Sequence, residues 1–203
     1  GDYIVLFDID NAFVQSFIDT DVTVRLPVQW REAQGDNGLR KLIRALYGLP
    51  QSPRLWAKFY EKALVKLGWT QSDSRGLWRK ESKVFKGRFL RLGVFVDDNT
   101  ASGPCPEELR VEVQKVLDVF PGKFIESDDM GDGWVRFDLL GTDFWYHQGN
   151  REMKITMERY IKKLESEFGQ KGCGEVTSPC FNEAKLYDEK SPKKDYPLRK
   201  IIG

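Results

Sequence analysis

Two apolar segments of this sequence end in carboxylates, and these carboxylates are the residues best suited to chemistry. Residues 3–7 lead to Asp8, and residues 92–96 lead to Asp97 and Asp98. Charge buried at the end of a hydrophobic strand is costly without compensation, and carboxylates brought together raise one another's pKa. Two divalent cations about 3.5–4 Å apart relieve this repulsion and drive in-line phosphoryl or nucleotidyl displacement. Since the ligands are oxygens, Mg²⁺ or Mn²⁺ is expected.

The sequence around residues 97–98 distinguishes them from other acidic pairs. An Asp-Asp pair alone is weak evidence, because Asp128-Asp129 is another and is predicted to lie in an acidic, glycine-containing turn. The pair at 97–98 instead follows an apolar strand and precedes the polar residues Asn99 and Thr100. This pattern predicts a tight hairpin tip at the edge of a sheet.

Three amphipathic helices are expected to support these strands. The clearest helix runs from Ser52 to Gly68, with Ser52 as its cap, Pro53 at its first position and Gly68 as its stop. Further helices are predicted over 106–120 and 157–168. The inward faces are predicted to comprise Leu55, Trp56, Phe59, Ala63, Leu64 and Leu67 in the first helix, Leu109, Val113, Val116, Leu117 and Phe120 in the second, and Met157, Tyr160, Ile161, Leu164 and Phe168 in the third.

Short strands complete the predicted fold, which belongs to the α+β class. Alternation predicts a strand at 22–26, and a loop is expected at 31–38. A basic hairpin is predicted over 75–91, and a second hairpin over 134–145 with a further strand at 153–155. Short strands mixed with three amphipathic helices favour α+β over a doubly wound sheet.

Composition narrows the class of protein. The 203 residues are 40% apolar, which excludes a disordered chain. The net charge of +1 indicates no particular partner, so a surface that binds nucleic acid would require a local cluster of basic residues. The sequence contains no run of about 18 apolar residues, so no membrane span is predicted. The start does not resemble a signal peptide, so an intracellular location, cytoplasmic or nuclear, is expected. Three cysteines and one histidine favour a reducing compartment and argue against structural zinc.

Basic residues do cluster in two places. One cluster recurs every four residues along the helix predicted at 52–68, and the other lies on the hairpin at 75–91, with aromatic residues interleaved. Either cluster is a solvated face or a surface that binds phosphates. The main candidates are Arg54, Lys58, Lys62 and Lys66 on the helix, and Arg79, Lys83 and Arg88 on the hairpin.

Several motifs resemble those of copia-type LTR-retrotransposon reverse transcriptases. Residues 95–98 (FVDD) resemble the YxDD box with Phe for Tyr, and residues 8–13 (DIDNAF) resemble the DVxxAF motif. Residues 46–56 (LYGLPQSPRLW) are similar to the ALYGLKQAPRLW box of that family. Later segments resemble its LGIEI…ISQ…YI, V.TP and YRSLVG stretches in the same order: residues 140–143, 155, 160–161, 176–179 and 196–203.

The resemblance implies a fold and an activity. The fold would be a palm-like antiparallel sheet packed on amphipathic helices. Residues 1–150 would form the palm with partial fingers, and residues 151–203 a helix with an irregular, thumb- or connection-like C-terminal extension. The implied activity is RNA-directed DNA polymerisation by two-metal nucleotidyl transfer. The implied partners are two Mg²⁺ ions (or Mn²⁺), an RNA or DNA template-primer and deoxynucleoside triphosphates.

The resemblance also implies a metal site. Asp8 and Asp97 would ligate both ions and Asp98 would complete the set, with the backbone carbonyl of Ile9 near one ion. Asp10 is the nearest rival to Asp8, but Asp8 occupies the motif position.

Substrate contacts follow from the same motifs. Phe13 would lie under the incoming sugar and exclude a 2′-hydroxyl by crowding. Gln51 and Arg54 would lie by the nascent base pair and the template. The hairpin at 134–155 would position the primer 3′-hydroxyl. The nucleic-acid backbone would be contacted by Lys58, Lys62, Lys66, Arg79, Lys83 and Arg88.

The sequence departs from the family in three respects. The segment that builds most of the fingers is expected before residue 8 and is missing, no RNase H region follows residue 203, and Asn99 replaces the usual apolar residue. The fingers would then be supplied by other chains or a host assembly, or they were cut away or lost in evolution; the sequence leaves these alternatives open. One alternative is an exapted, catalytically idle palm that serves as a structural or RNA-binding subunit. Another is a metal-dependent nuclease, which leaves residues 47–56 unexplained.

Overall fold

The structure is a computed structural model that describes residues 1–35 and 37–168. The segments predicted at 176–179 and 196–203, with Cys173 and Cys180, lie outside the described residues. All strand pairings within the described ranges are antiparallel. The predicted combination of antiparallel sheets and helices is therefore confirmed.

The described residues form twelve strands and five helices. The strands are β1 (Tyr3–Ile9), β2 (Thr23–Arg25), β3 (Leu39–Lys41), β4 (Thr70–Gln71), β5 (Leu77–Glu81), β6 (Phe89–Phe95), β7 (Asp98–Gly103), β8 (Gly122–Ile125), β9 (Asp128–Asp129), β10 (Trp134–Leu139), β11 (Thr142–His147) and β12 (Glu152–Thr156). The helices are α1 (Ala12–Gln15), α2 (Val28–Gln34), α3 (Ser52–Lys66), α4 (Pro106–Val119) and α5 (Glu158–Phe168).

The main sheet has six strands in the order β4-β5-β6-β7-β1-β8. Strand β1 pairs with β7 on one side and β8 on the other. Helices α3 and α4 contribute much of the core that the sheet buries, and they contact each other. All five residues predicted to face inward from the region of α4 are buried: Leu109, Val113, Val116, Leu117 and Phe120. This apolar burial is the main driving force for the fold.

Helix α3 spans nearly the predicted range, but its N-terminus and inward face differ from the prediction. The hydroxyl of Ser52 donates a hydrogen bond to the Leu46 carbonyl at 2.6 Å and caps no backbone amide. Tyr60 is fully buried and stacks on Trp56, whereas Phe59 is 38% exposed. Tyr60 is accommodated inside because its hydroxyl has a partner there.

Helix α2 corrects the prediction of a loop at 31–38. Pro27 immediately precedes its first turn, and Gly35 ends it with a φ of +64° in the left-handed region. These local start and stop signals operate although the segment has no clear apolar periodicity. The strand predicted at 22–26 is confirmed as β2, which pairs with β3.

A second sheet has the order β12-β11-β10-β9 and confirms the predicted hairpin. This sheet crosses the boundary expected at residue 150, because β12 pairs with β11. The prediction of a turn at Asp128-Asp129 was wrong, since these residues form β9 and Asp128 forms an ion pair with Arg136.

Helix α5 has the predicted span, but its apolar face is only partly buried: Tyr160 and Leu164 are half-buried, and other members of the predicted face are exposed. Ile161 is 60% exposed, and Met157, just before the helix, is 45% exposed. The contact of α5 with β11 is instead ionic, since Arg159 forms a pair with the buried Asp143 at 2.6 Å. No helix in the described part of the chain has the length and apolar character needed to cross a membrane.

A buried ion pair joins α4 to β5. The Glu112 carboxylate accepts hydrogen bonds from Lys80 at 2.6 Å and from Lys115 at 2.7 Å, and its side chain is 3% exposed. Burial by itself would raise the pKa of Glu112, but the hydrogen bonds from Lys115 and Lys80 together lower that pKa below its usual value. The pair therefore stabilises the folded state whenever Glu112 is ionised.

We expect Glu112→Ala to lower the free energy of unfolding by about 3 kcal/mol at neutral pH, because it leaves Lys80 without its acid in a largely buried position. The folded pKa is depressed, so this contribution is present above the ordinary glutamate pKa and is lost as the pH falls through the folded value. Urea denaturation at several pH values measures both effects. Asp118→Ala, at an exposed position on the same helix, is the control. Equal losses in the two variants would contradict the prediction.

Candidate active site

The ends of β1 and β7 bring the predicted carboxylates together. Asp8 lies directly opposite Asp98 in the antiparallel register. The backbone N–H of Ile9 donates a hydrogen bond to the Asp97 carbonyl at 3.1 Å. Strand β8 approaches Asp8 so closely that a Cβ at Gly122 would overlap its backbone oxygen. The three carboxylate residues thus occupy adjacent backbone positions at one end of the central strands.

The turn between β6 and β7 consists of Val96 and Asp97, because Phe95 pairs with Asp98. This confirms the predicted tight hairpin tip, but β6 and β7 lie inside the main sheet and not at its edge, as had been expected. Val96 has a φ of +58°, in the left-handed region. A β-branched residue rarely adopts this conformation, which costs on the order of 1–3 kcal/mol. The β6–β7 turn therefore depends on contacts that hold it in place.

Helix α3 and strand β7 supply those contacts. The indole N–H of Trp56 donates a hydrogen bond to the Val96 carbonyl at 2.9 Å. The Asn99 side-chain amide donates to the Asp97 carbonyl at 2.6 Å, and the Tyr60 hydroxyl donates to the Asn99 side-chain oxygen at 3.2 Å. Both backbone carbonyls of the turn are thereby bound to side chains that are nearly or fully buried.

Sequence reasoning gave no functional role to Asn99 or Tyr60. Asn99 is 1% exposed, although it is polar and lies within a strand. Buried polar groups are retained where they are hydrogen-bonded, and Asn99 bonds both to the turn and to α3. The sequence did contain a signal for this role: Asn99 is an uncharged polar residue that directly follows two aspartates at an inward strand position.

The electrostatics of the site reflect its excess of negative charge. Partial burial raises the pKa of Asp98, and the neighbouring Asp97, Asp8 and Asp138 raise it further. None of Asp8, Asp97 and Asp98 forms an ion pair with a residue in the ranges that the structure describes. Within those ranges no three or more acidic, His or Cys side chains are already arranged to hold a metal ion. The donors are adjacent along the backbone, but their side chains do not form a closed cluster.

Phe13 lies in α1, five residues after Asp8, and is half-buried against the core. Its ring is 4.6 Å from that of Tyr47, centroid to centroid. Tyr47 is 54% exposed, its partial burial raises its pKa, and Asp97 and Asp8 raise that pKa further. Tyr47 thus belongs to the surroundings of the carboxylates, a position that sequence reasoning did not assign to it.

The other predicted substrate residues have partners within the chain. The Gln51 amide donates a hydrogen bond to the Thr20 hydroxyl at 3.4 Å. Arg54 forms an exposed ion pair with Asp19 at 2.6 Å. The Ile9 side chain is buried, and its backbone N–H is bonded to the Asp97 carbonyl.

The predicted nucleic-acid residues fall into two groups. Lys58, Lys62 and Lys66 are exposed along one face of α3. On the hairpin, Arg88 forms an ion pair with Asp2 at 2.6 Å, and the guanidinium of Arg79 lies over the Phe89 ring. Lys83 is exposed.

Comparisons with known proteins show the family. The sequence profile described as reverse transcriptase (RNA-dependent DNA polymerase) matches residues 2–182. The chain therefore belongs to the reverse transcriptase family. The relatives also confirm the expected subtype, the reverse transcriptase region of a copia-type LTR retrotransposon.

Three relatives illustrate the similarity. The chain is 24% identical over 199 residues to a putative transposon Ty5-1 protein of Saccharomyces cerevisiae, covering 97% of this chain and 61% of that protein. It is 23% identical over 187 residues to the retrovirus-related Pol polyprotein from transposon TNT 1-94 of Nicotiana tabacum, covering 91% and 13%. It is 27% identical over 214 residues to the transposon Ty1-GR3 Gag-Pol polyprotein of Saccharomyces cerevisiae, covering 99% and 12%. The chain thus spans less than two thirds of each relative.

We expect Asn99→Ala to lower the free energy of unfolding by about 2 kcal/mol, because it leaves the buried Tyr60 hydroxyl without its partner and removes one of the two hydrogen bonds that the Asp97 carbonyl accepts. Tyr60→Phe removes one of the same hydrogen bonds, so the two losses should not add in a double-mutant cycle measured by urea denaturation. Asn150→Ala, at an exposed turn, is the control and should cost less than about 0.5 kcal/mol. Strict additivity of the first two variants would refute this network.

Proposed function

We propose that this chain is the catalytic region of an RNA-directed DNA polymerase, which adds deoxynucleotides to a primer 3′-hydroxyl. The observation that carries the proposal is the register of β1 and β7, with Asp8 opposite Asp98 and Asp97 in the adjoining turn. Membership of the reverse transcriptase family supports it. No feature of the described fold or of the relatives favours an idle structural subunit, so a single function is proposed.

Within residues 1–150, we assign the six-stranded sheet with α3 and α4 to a palm. The short elements between β1 and α3 would be the partial fingers. Residues 151–203, of which the structure describes 151–168, would be a thumb- or connection-like extension that β12 joins to the second sheet. The antiparallel sheet packed on two helices supports this assignment. The hairpin at 134–155 would place the primer, and the position of its β10–β11 turn supports this role. Leu139 and Leu140 line a small cavity of about 230 Å³ together with Asp98.

Asp8, Asp97 and Asp98 would hold two Mg²⁺ or Mn²⁺ ions. The donor set fits, because it consists of oxygen ligands that are not neutralised by cations among the described residues. Such ions supply activation of the attacking hydroxyl and neutralisation of phosphate charge. The chain contributes the position of the carboxylates, since both carbonyls of the β6–β7 turn are held by Trp56 and Asn99.

The remaining predicted residues would bind the substrates. The Phe13 ring, braced by Tyr47, would form the floor under the incoming sugar. Gln51 and Arg54 lie at the start of α3 and would contact the nascent base pair and the template. The exposed cations of α3 and the basic hairpin would contact the nucleic-acid backbone, a type of binding that tolerates sequence and weakens with salt.

Asp97→Asn should abolish primer extension on an RNA template with deoxynucleotides in Mg²⁺ or Mn²⁺, because it removes a charged ligand while keeping the size of the side chain. Extension is measured by gel electrophoresis, and an unchanged thermal unfolding midpoint shows that the fold is intact. Asp129→Asn, in the other Asp-Asp pair, is the matched control and should retain activity. Extension by Asp97→Asn at the wild-type rate would remove the proposed metal site.

Phe13→Ala should increase ribonucleotide incorporation relative to deoxynucleotide incorporation by about tenfold or more, because the ring no longer crowds the 2′-hydroxyl; tenfold corresponds to about 1.4 kcal/mol. Single-nucleotide addition kinetics with each substrate measure the ratio. Phe17→Ala, at a 59% exposed aromatic position nearby in sequence, is the control. An unchanged sugar preference would show that Phe13 only packs in the core.

A further inference from the structure

We infer that Arg159, in helix α5, is a positioning residue that holds the β10–β11 turn beside Asp98 and thereby places the primer 3′-hydroxyl. Arg159 lies in the first turn of α5, so this helix becomes part of the catalytic unit. That the turn places a primer rests on the proposed function, whereas the hydrogen bonds between the hairpin and α5 do not depend on it.

The β10–β11 turn has a conformation that its first residue does not favour. Leu139 pairs with Thr142, so the turn consists of Leu140 and Gly141. Both have a positive φ, +54° for Leu140 and +73° for Gly141. Two-residue hairpin turns of this kind favour Asn, Asp or Gly at the first position, and leucine rarely adopts a left-handed backbone. Because Leu140 is also 53% exposed, polar contacts around the turn must hold it in place.

Asp138 supplies one such contact. Its carboxylate Oδ1 accepts a hydrogen bond from the backbone N–H of Gly141 at 3.1 Å. Asp138 also lies directly opposite Asp143 in the antiparallel register. Like charges at directly opposite positions destabilise a pair of strands. The carboxylate that holds the turn therefore requires a cation that neutralises it together with Asp143.

Arg159 is that cation. Its Nε donates hydrogen bonds to both carboxylate oxygens of Asp143, at 2.8 and 2.9 Å, and its Nη2 donates to Oδ2 of Asp138 at 2.9 Å. Asp143 is buried, and the hydrogen bond from Arg159 holds the pKa of Asp143 below its usual range. One guanidinium thus bridges both acids and leaves Oδ1 of Asp138 to accept the Gly141 N–H.

The turn held in this way borders the carboxylate site. Leu139 and Leu140 line the cavity of about 230 Å³ that has Asp98 in its wall. Partial burial raises the pKa of Asp98, and Asp138 is among the acids that raise it further. A displaced turn changes the space beside Asp98, and a misplacement of reacting groups by about 1 Å can lower a rate about 100-fold. Arg159 therefore acts on the site through the turn, without touching the carboxylates at its centre.

The first test does not involve catalysis. Amide-proton exchange at Gly141, measured by NMR, should be about tenfold faster in Arg159→Gln than in the wild type, because the two acids then repel each other and loosen the turn. Exchange at Thr100, in β7, should stay within about twofold. Lys162→Gln removes an exposed ion pair within the same helix. It is the matched control and should leave exchange at Gly141 unchanged.

The second test distinguishes positioning from a purely structural role by the kinetics of single-nucleotide addition on an RNA template. Arg159→Gln should lower kcat about tenfold or more and leave KM for the deoxynucleotide within about threefold, because the turn acts on the primer terminus. Lys162→Gln should keep the wild-type kcat.

A double variant provides the rescue. Asp138→Asn combined with Arg159→Gln should recover at least about a third of the wild-type kcat, because asparagine removes the repulsion and its amide oxygen still accepts the Gly141 N–H. A further loss of kcat in the double variant, or an effect of Arg159→Gln on KM alone, would overturn the positioning role.

The outcomes separate this role from the proposed function. A chain that never extends a primer contradicts the polymerase proposal, and exchange at Gly141 then still decides whether Arg159 holds the turn. A chain that extends primers, and whose Arg159→Gln variant keeps the wild-type exchange and kcat, contradicts only the role of Arg159. Faster exchange with an unchanged kcat would also overturn that role, because α5 would then serve the fold alone.

Discussion

The β6–β7 turn keeps a β-branched residue in a left-handed backbone conformation directly before Asp97, and the surrounding structure must hold it there. Trp56 and Tyr60 do this from α3. Their rings stack on each other and make edge-to-face contacts with Phe120 in the core, while their polar groups reach Val96 and, through Asn99, Asp97. The same two side chains thus fill the core and fix the turn. The packing of α3 and the position of the carboxylates are therefore coupled, and a loss of core packing at α3 also displaces the site.

The carboxylate end of the sheet works against the stability of the isolated chain. Partial burial raises the pKa of Asp98, and repulsion from the neighbouring Asp97 and Asp8 raises it further. Elsewhere the chain neutralises its buried acids, as Lys80 and Lys115 do for Glu112 and as Arg159 does for Asp143. Glu112 and Asp143 thus serve the fold, whereas the carboxylates at the end of the sheet are left for a ligand. Such unneutralised groups are expected where function opposes stability.

Sequence reasoning succeeded where local signals were strong and failed where distant contacts decided the outcome. The apolar runs before Asp8 and Asp97, and the periodicity of α3 and α4, were sufficient to locate these elements. The burial of Tyr60 in place of Phe59 depended on a partner, Asn99, that lies 39 residues away. The pairing of Arg88 with Asp2 joins residues 86 positions apart, and no local pattern indicates it.

Helix α2 was missed because its signals are only a proline and a glycine. The exposed part of the α5 face reflects an ionic attachment to β11, which apolar periodicity does not indicate. The roles of the site residues stay predictions, since they come from the motifs.

The central position of β1 has a consequence for how the chain folds. Its partners β7 and β8 begin about 90 residues later or more, so the middle of the main sheet consists of contacts between distant parts of the sequence. Closing such long loops is slow, and it cannot occur during synthesis until both partner strands have left the ribosome. Helix α3 and the β5–β6 hairpin involve shorter loops and can form earlier. Asp8 and Asp98 therefore meet late, and a partly synthesised chain ending before β7 has no carboxylate site.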